Sequence, residues 1–228
     1  MKAKATVLMA APAAAAIGYL RLVRPWHLRW GATDDEIARA MPLDEVVERP
    51  TYVANRAIAI RARPEEVWPW LAQMGESPRG GFYSYQWIER LMGMRVENAG
   101  RVLPAYQHPQ TGDILDRKGT MVVRGVEDGR WLVLGPPGEQ AFGDSTWCLA
   151  LYPAGPDETR LVSRVRARIN LRRPTGLVLL ALLDPGQFIM ERKMLLLIKQ
   201  RAERLAAERE ASQTTESVLT ERGTLAAL

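Results

Sequence analysis

The sequence predicts an α+β fold in which a curved antiparallel sheet clasps one long C-terminal helix, with an N-terminal apolar helix in front. Three observations predict it. Residues 55–92 read as a strand followed by two helices. Residues 112–169 break into short apolar runs punctuated by turn residues. Beyond Asp184, apolar side chains recur at helical spacing for some twenty residues. A curved sheet needs its concave face covered, one long helix can cover it, and space is left between the two.

The elements follow in order. Lys2 and Lys4 precede a charge-free stretch, "ATVLMAAPAAAAIGYL", closed by Arg21 and Arg24. It is short of the roughly 20 apolar residues that cross a bilayer. Signal peptide, uncleaved anchor and surface-packed alanine helix all fit this pattern. The anchor is preferred, because positive charges flank both ends and no sharp polar cleavage region follows. Residues 1–24 are thus set apart from a main domain over 25–210 and a disordered tail over 211–228. Thr33 and Glu36 form a capping box for a short helix that Pro42 ends. "NRAIAIRA" (55–62) alternates as a strand, with Arg56, Ile58, Ile60 and Ala62 on one face. Pro64 opens a helix at its first turn, where the missing N–H is harmless. Gly75 stops that helix, and Tyr85 to Met92 form a second. "GDIL", "TMVVRGV", "RWLVLGP", "STWCLALYP" and "TRLVSRVRARI" then read as strands, and Asp128-Gly129 marks a hairpin. In the last of them Leu161, Ser163 and Val165 share one face, and Arg160, Arg164, Arg166 and Arg168 a solvated one. Asp184-Pro185-Gly186-Gln187 carries the signature of a helix start, with Asp184 as N-cap. The helix runs to about Glu210 on a stripe of Phe188, Leu195, Ile198, Ala202 and Leu205, widened by Met190, Met194 and Leu197.

Composition narrows the chemistry. With one cysteine among 228 residues no intrachain disulfide or thiolate zinc cluster is possible, and two histidines do not make a multi-histidine metal site. Net charge is +5, but the charges are scattered and no nucleic-acid motif is present, so nucleic acid is not expected as a partner. No cofactor or metal is expected, and the oligomeric state is open.

Several stretches together resemble the START/polyketide cyclase–dehydrase-like superfamily, whose fold is the helix-grip. They are "RPWHLRWGAT" (24–33), "IAIRARPEEVWPWLAQMG" (58–75), "GGFYSYQWIE" (80–89), "TRLVSRVR" (159–166) and "MERKMLLLIKQRAE" (190–203). The resemblance implies a deep apolar pocket between sheet and helix, for a lipid, isoprenoid or polyketide-like molecule. It implies no catalytic residue that can be carried over.

Candidate site residues are aromatic and thioether side chains: Trp70, Tyr83, Tyr85, Trp131, Trp147, Met190 and Met194. Rings with a polar edge suit a pocket mouth, and methionine adapts to irregular ligands. Plain core packing competes for each. A catalytic reading rests on His108 with Asp113 as base and orienter, or on Tyr83 or Tyr85 with Arg90 as a buried arginine. Cys148 reads as an inert buried thiol, and His27 as an interfacial residue. The expected function is binding of a small hydrophobic molecule, possible at a membrane surface, with the arginine-rich strand face and Trp26/Trp30 toward lipid headgroups. A cyclase- or dehydratase-type enzyme and an interaction module with a filled core are the alternatives.

Overall fold

The computed structural model describes the backbone of residues 18–138, 144–169 and 174–226, with side chains outside 174–183 and 216–226. The bulk of the expected apolar segment, residues 1–17, lies outside the described residues. Its last residues form a π-helical turn at Tyr19–Val23 that leads into α1 (Arg24–Leu28). Next come α2 (Asp34–Ala38), a 3-10 turn at Asp44–Val47, β1 (Tyr52–Ile60), α3 (Pro64–Ala72) and α4 (Gln86–Leu91). They are followed by β2 (Val122–Glu127), β3 (Trp131–Gly135), β4 (Ser145–Gly155), β5 (Glu158–Ala167) and α5 (Pro174–Ala226).

The five strands form one antiparallel sheet in the order β1-β5-β4-β3-β2. Bulges between Val123 and Gly125 and between Pro153 and Gly155 add to its twist and bend. The Asp128-Gly129 turn joins β2 to β3 as expected, with Gly129 at a φ of 75°. "GDIL" supplies no full strand, only an isolated bridge between Ile114 and Val122.

Alternation sorts the strand residues onto two faces. Ile60, Leu132, Leu134, Leu149, Leu151 and Leu161 point inward and pack with α3 and with Met194, Leu195, Ile198 and Ala202 of α5. This is the expected sheet-and-clasp core. Both Trp68 and Trp70 of α3 are buried in it.

Three expectations about charges and ends are corrected. The arginines of β5 do not form a solvated face: Gly31, α2 and the following turn lie over Arg160, Arg164 and Arg166. Arg164 is 4% exposed. It donates to Asn55 Oδ1 (2.5 Å), to Asp44 Oδ2 (2.6 Å) and to the carbonyls of Glu36, Ile37 and Arg39 at the end of α2. A helix C-terminus leaves those carbonyls unpaired, and a guanidinium with five donors satisfies several at once. Arg160 grips both oxygens of Glu36 at 2.8 Å, while Glu36 also completes the predicted capping box with Thr33. These groups are therefore committed inside the protein and do not present a surface to headgroups. Asp184 is not an N-cap either, since α5 is already helical from Pro174. Its carboxylate instead takes a 2.6 Å ion pair from Arg24 and ties α1 to α5. Finally, α5 runs past Glu210, where the sequence places its end, to Ala226.

Candidate functional site

Between α4, the loop before it, β4 and α5 lies a cavity of about 460 Å³. Its volume falls within the range of small-molecule sites, about 300–1,000 Å³. Phe82, Met92, Met94, Met121, Trp147, Met190 and Met194 form most of its wall. A neighbouring groove shares Met121, Trp147 and Gln187 with it. Trp147 is held by its ring N–H, which donates to Ser163 Oγ at 2.8 Å. The surface beside the cavity is apolar as well. Met92, part of the wall, is 55% exposed, and beside it on α4 Trp87 and Leu91 are 67% and 82% exposed.

Four polar side chains interrupt this lining: Ser84, Glu89, Gln187 and Glu191. Ser84 donates to the Met190 carbonyl, and Gln187 accepts from Tyr52 (2.5 Å) and from Arg56 (3.3 Å). Glu191 is buried and receives a hydrogen bond from Arg56, itself fully buried. Burial raises the Glu191 carboxyl, opposed by the Arg56 charge and the Ser163 hydroxyl. Glu191 Oε1 has no partner within hydrogen-bond distance among the described residues.

Glu89 stands apart. It is 1% exposed, and neither carboxyl oxygen has a hydrogen-bond partner among the described residues. Burial alone pushes its pKa up from 4.5 to about 7. The sequence carries a signal for it. Tyr85, Ile88 and Met92 mark the apolar side of α4, and Glu89 falls between them on that side. Glu191 was legible in the same way, one turn after Phe188 and one before Leu195 on the buried stripe.

This isolated carboxyl makes stability depend on pH. Between about 4.5 and about 7 the folded chain keeps a proton that the unfolded chain releases, so stability falls as pH rises through that window. Glu89→Gln removes this loss. It is expected to raise stability over the parent by on the order of 1–3 kcal/mol near pH 8, and by little near pH 5. Urea unfolding of both proteins at the two pH values measures the difference.

The seven predicted ligand-site residues separate. Trp147, Met190 and Met194 meet on the cavity wall. Trp70 and Tyr83 are fully buried neighbours in the core, ring on edge at 6.1 Å. Tyr83 accepts from Gln73 Nε2 at 2.9 Å, and Arg201, not Arg90, lies over its ring at 4.7 Å. Arg90 is exposed. Tyr85 is partly exposed ahead of α4, with Lys193 over its ring. Trp131 sits on the opposite face of the sheet, against Val133 and Cys148, and its N–H donates to Glu127. A strand residue one position out of phase with Leu132 cannot face the cavity.

The catalytic pairing of His108 with Asp113 is not formed. His108 is exposed and meets Asp128 at 3.1 Å, whereas Asp113 pairs with Arg79 at 2.9 Å. Cys148 is buried and its thiol is pushed up to about 12, chiefly by burial, in keeping with an inert side chain. His27 is buried between the Tyr19 hydroxyl, at 3.0 Å, and the Phe188 ring, stacked at 5.2 Å. No group of histidine, cysteine and carboxylate side chains suited to a metal occurs among the described residues. Nor is any described helix long and apolar enough to cross a membrane.

No protein-family model matches the chain, and no curated protein matches it in sequence. Solved structures do. A START superfamily protein from Mycobacterium smegmatis matches with 14% identity and a TM-score of 0.39, over 67% of this chain and 98% of that one. A di-domain ARO/CYC protein of the steffimycin biosynthetic pathway matches with 14% identity and a TM-score of 0.41, over 72% of this chain and 54% of that one. A solution structure from Thermobifida fusca matches with 12% identity and a TM-score of 0.41, over 67% and 94%. At such distances none of them bears on what this chain binds.

Proposed function

We propose that this protein binds a small, mainly apolar molecule in the cavity between the sheet and α5, and takes it up at a membrane surface. The observation that carries the reading is the 460 Å³ hollow walled by methionines and aromatic rings. Methionine-rich walls adapt to ligands of irregular shape. A molecule burying about 300 Å² of apolar surface gains on the order of 7 kcal/mol at about 25 cal/mol per Å², before the costs of association. Trp87, Leu91 and Met92 beside the cavity give the membrane part of the reading its support. Large exposed apolar residues grouped beside a cavity match an interface whose far side is also apolar.

A second reading, an enzyme of the cyclase or dehydratase type, is favoured by one observation. Glu89 holds a carboxyl near neutrality inside the cavity, as general acid–base chemistry requires. The tyrosines and His108 offer it no support. Binding is preferred because the other carboxyl described on the wall, Glu191, is paired with Arg56.

The test uses a neutral apolar fluorophore, N-phenyl-1-naphthylamine, offered in solution and preloaded in anionic phospholipid vesicles. The protein is expected to bind it with quenching of tryptophan emission and to withdraw it from vesicles. Met190→Trp, which fills the hollow, is expected to weaken binding about tenfold or more. Trp87→Ser with Leu91→Ser is expected to slow withdrawal from vesicles while leaving affinity in solution unchanged. Equal affinity of the parent and Met190→Trp would refute the cavity as the site.

A further inference from the structure

Resting on that reading, we propose that the ligand is an amphiphilic amine: an apolar body ending in a protonated nitrogen that is received by Glu89. The cavity is short of donors and rich in unused acceptors. Ser84 has spent its hydroxyl proton on the Met190 carbonyl, and Gln187 Oε1 already accepts from Tyr52 and Arg56. Both carboxyl oxygens of Glu89 remain without partners among the described residues. No lysine or arginine belongs to the wall. Arg56, the nearest cation to Glu191, is engaged through Nε and Nη1 with the His27 carbonyl, Gln187 and Glu191, while its Nη2 has no partner among the described residues.

A buried carboxyl with no partner is costly, and such groups in native proteins call for an explanation. A ligand that supplies the missing donors provides one. An ammonium group has three N–H donors and a positive charge, which suits the unpaired carboxylate of Glu89 once it is ionised. The Trp147 and Phe82 rings in the same wall attract a cation through their faces. An alcohol supplies a single donor and no charge. A carboxylate-headed lipid brings a like charge against Glu89 and no cation in the wall to meet it.

The charges around Glu89 do not supply the partner from elsewhere. On α5, Glu191 is paired with Arg56, and Lys193 lies over the Tyr85 ring. On its own helix Arg90 is exposed, and Lys118 approaches Gly93 just beyond the end of α4. None of them forms an ion pair with Glu89.

The experiment compares decylamine, decanol and decanoate, three chains of one length with different heads, by calorimetry near pH 5 and near pH 8. Decylamine is expected to bind about tenfold tighter than decanol near pH 8, with decanoate weakest. As the amine stays protonated throughout, its affinity is expected to rise from the lower pH to the higher as Glu89 ionises. Glu89→Gln is expected to remove the amine's advantage and its pH dependence and to keep decanol binding. Equal binding of amine and alcohol, or an advantage that survives Glu89→Gln, overturns the inference and leaves the cavity reading intact. If none of the three binds, both fall. Should the variant fold poorly, a flat pH profile for decylamine with the parent protein overturns the inference by itself.

Discussion

Replacing Arg56 with methionine is expected to destabilise the fold by about 3–5 kcal/mol, the usual result of removing one partner of a buried ion pair. Arg56 is fully buried on the inner face of β1, where the sequence's alternation placed it beside Ile58 and Ile60. Its guanidinium joins three parts of the chain: Glu191 and Gln187 on α5, and the His27 carbonyl of α1. Methionine keeps most of the volume and takes away every donor. Glu191 is then left in an apolar surrounding that already raises its carboxyl, without the charge that opposes the rise. The folded variant therefore retains a proton that its unfolded chain gives up. Its deficit is expected to grow as pH climbs above the ordinary carboxylate range, a trend that the parent pair suppresses. A companion variant carrying both Arg56→Met and Glu191→Leu is expected to recover most of the loss, since an apolar pair of similar size often equals a buried ion pair. Urea unfolding of the parent, both single variants and the double variant closes the cycle. If Arg56→Met alone unfolds at the parent's midpoint, the pair does not hold α5 to β1.

The strengths and failures of the sequence reading have one physical source. Alternation in β3 to β5 and helical spacing in α5 record which face is apolar, and the inner core is where those records place it. The Thr33–Glu36 box was equally plain, because capping is local. What one strand's pattern cannot report is what covers its other face. Arg160, Arg164 and Arg166 look solvated within β5, yet segment 31–47 folds over them and uses their donors. The same blindness sent Trp131 to the cavity and left Glu89 and Glu191 unmarked. Charged residues on an apolar side are easily passed over as surface, although they are the residues that give this hollow its polarity.

Gly31 tests the covering layer itself. The segment 29–33 crosses β1 so closely that the Ala57 N–H donates to the Trp30 carbonyl at 3.1 Å. A β-carbon at Gly31 would lie 2.1 Å from the Ala57 carbonyl oxygen, and at a φ of +72° the backbone itself disfavours a side chain. Gly31→Ala must therefore bear a left-handed penalty of about 1–2 kcal/mol and push the segment off the strand. The retreat breaks the Trp30 hydrogen bond and loosens the Gly31 carbonyl that Arg160 grasps at 2.8 Å. A total loss of about 3–5 kcal/mol is expected, among the larger effects of single substitutions. Gly129 provides the control. Its φ is +75°, nearly the same, but the space around its missing β-carbon is open. Gly129→Ala should bear the backbone penalty alone, about 1–2 kcal/mol. The difference between the two variants, read from thermal or urea unfolding, isolates the contact between cover and sheet. Equal losses would mean that the cover yields freely and that the β5 arginines do not depend on its seat.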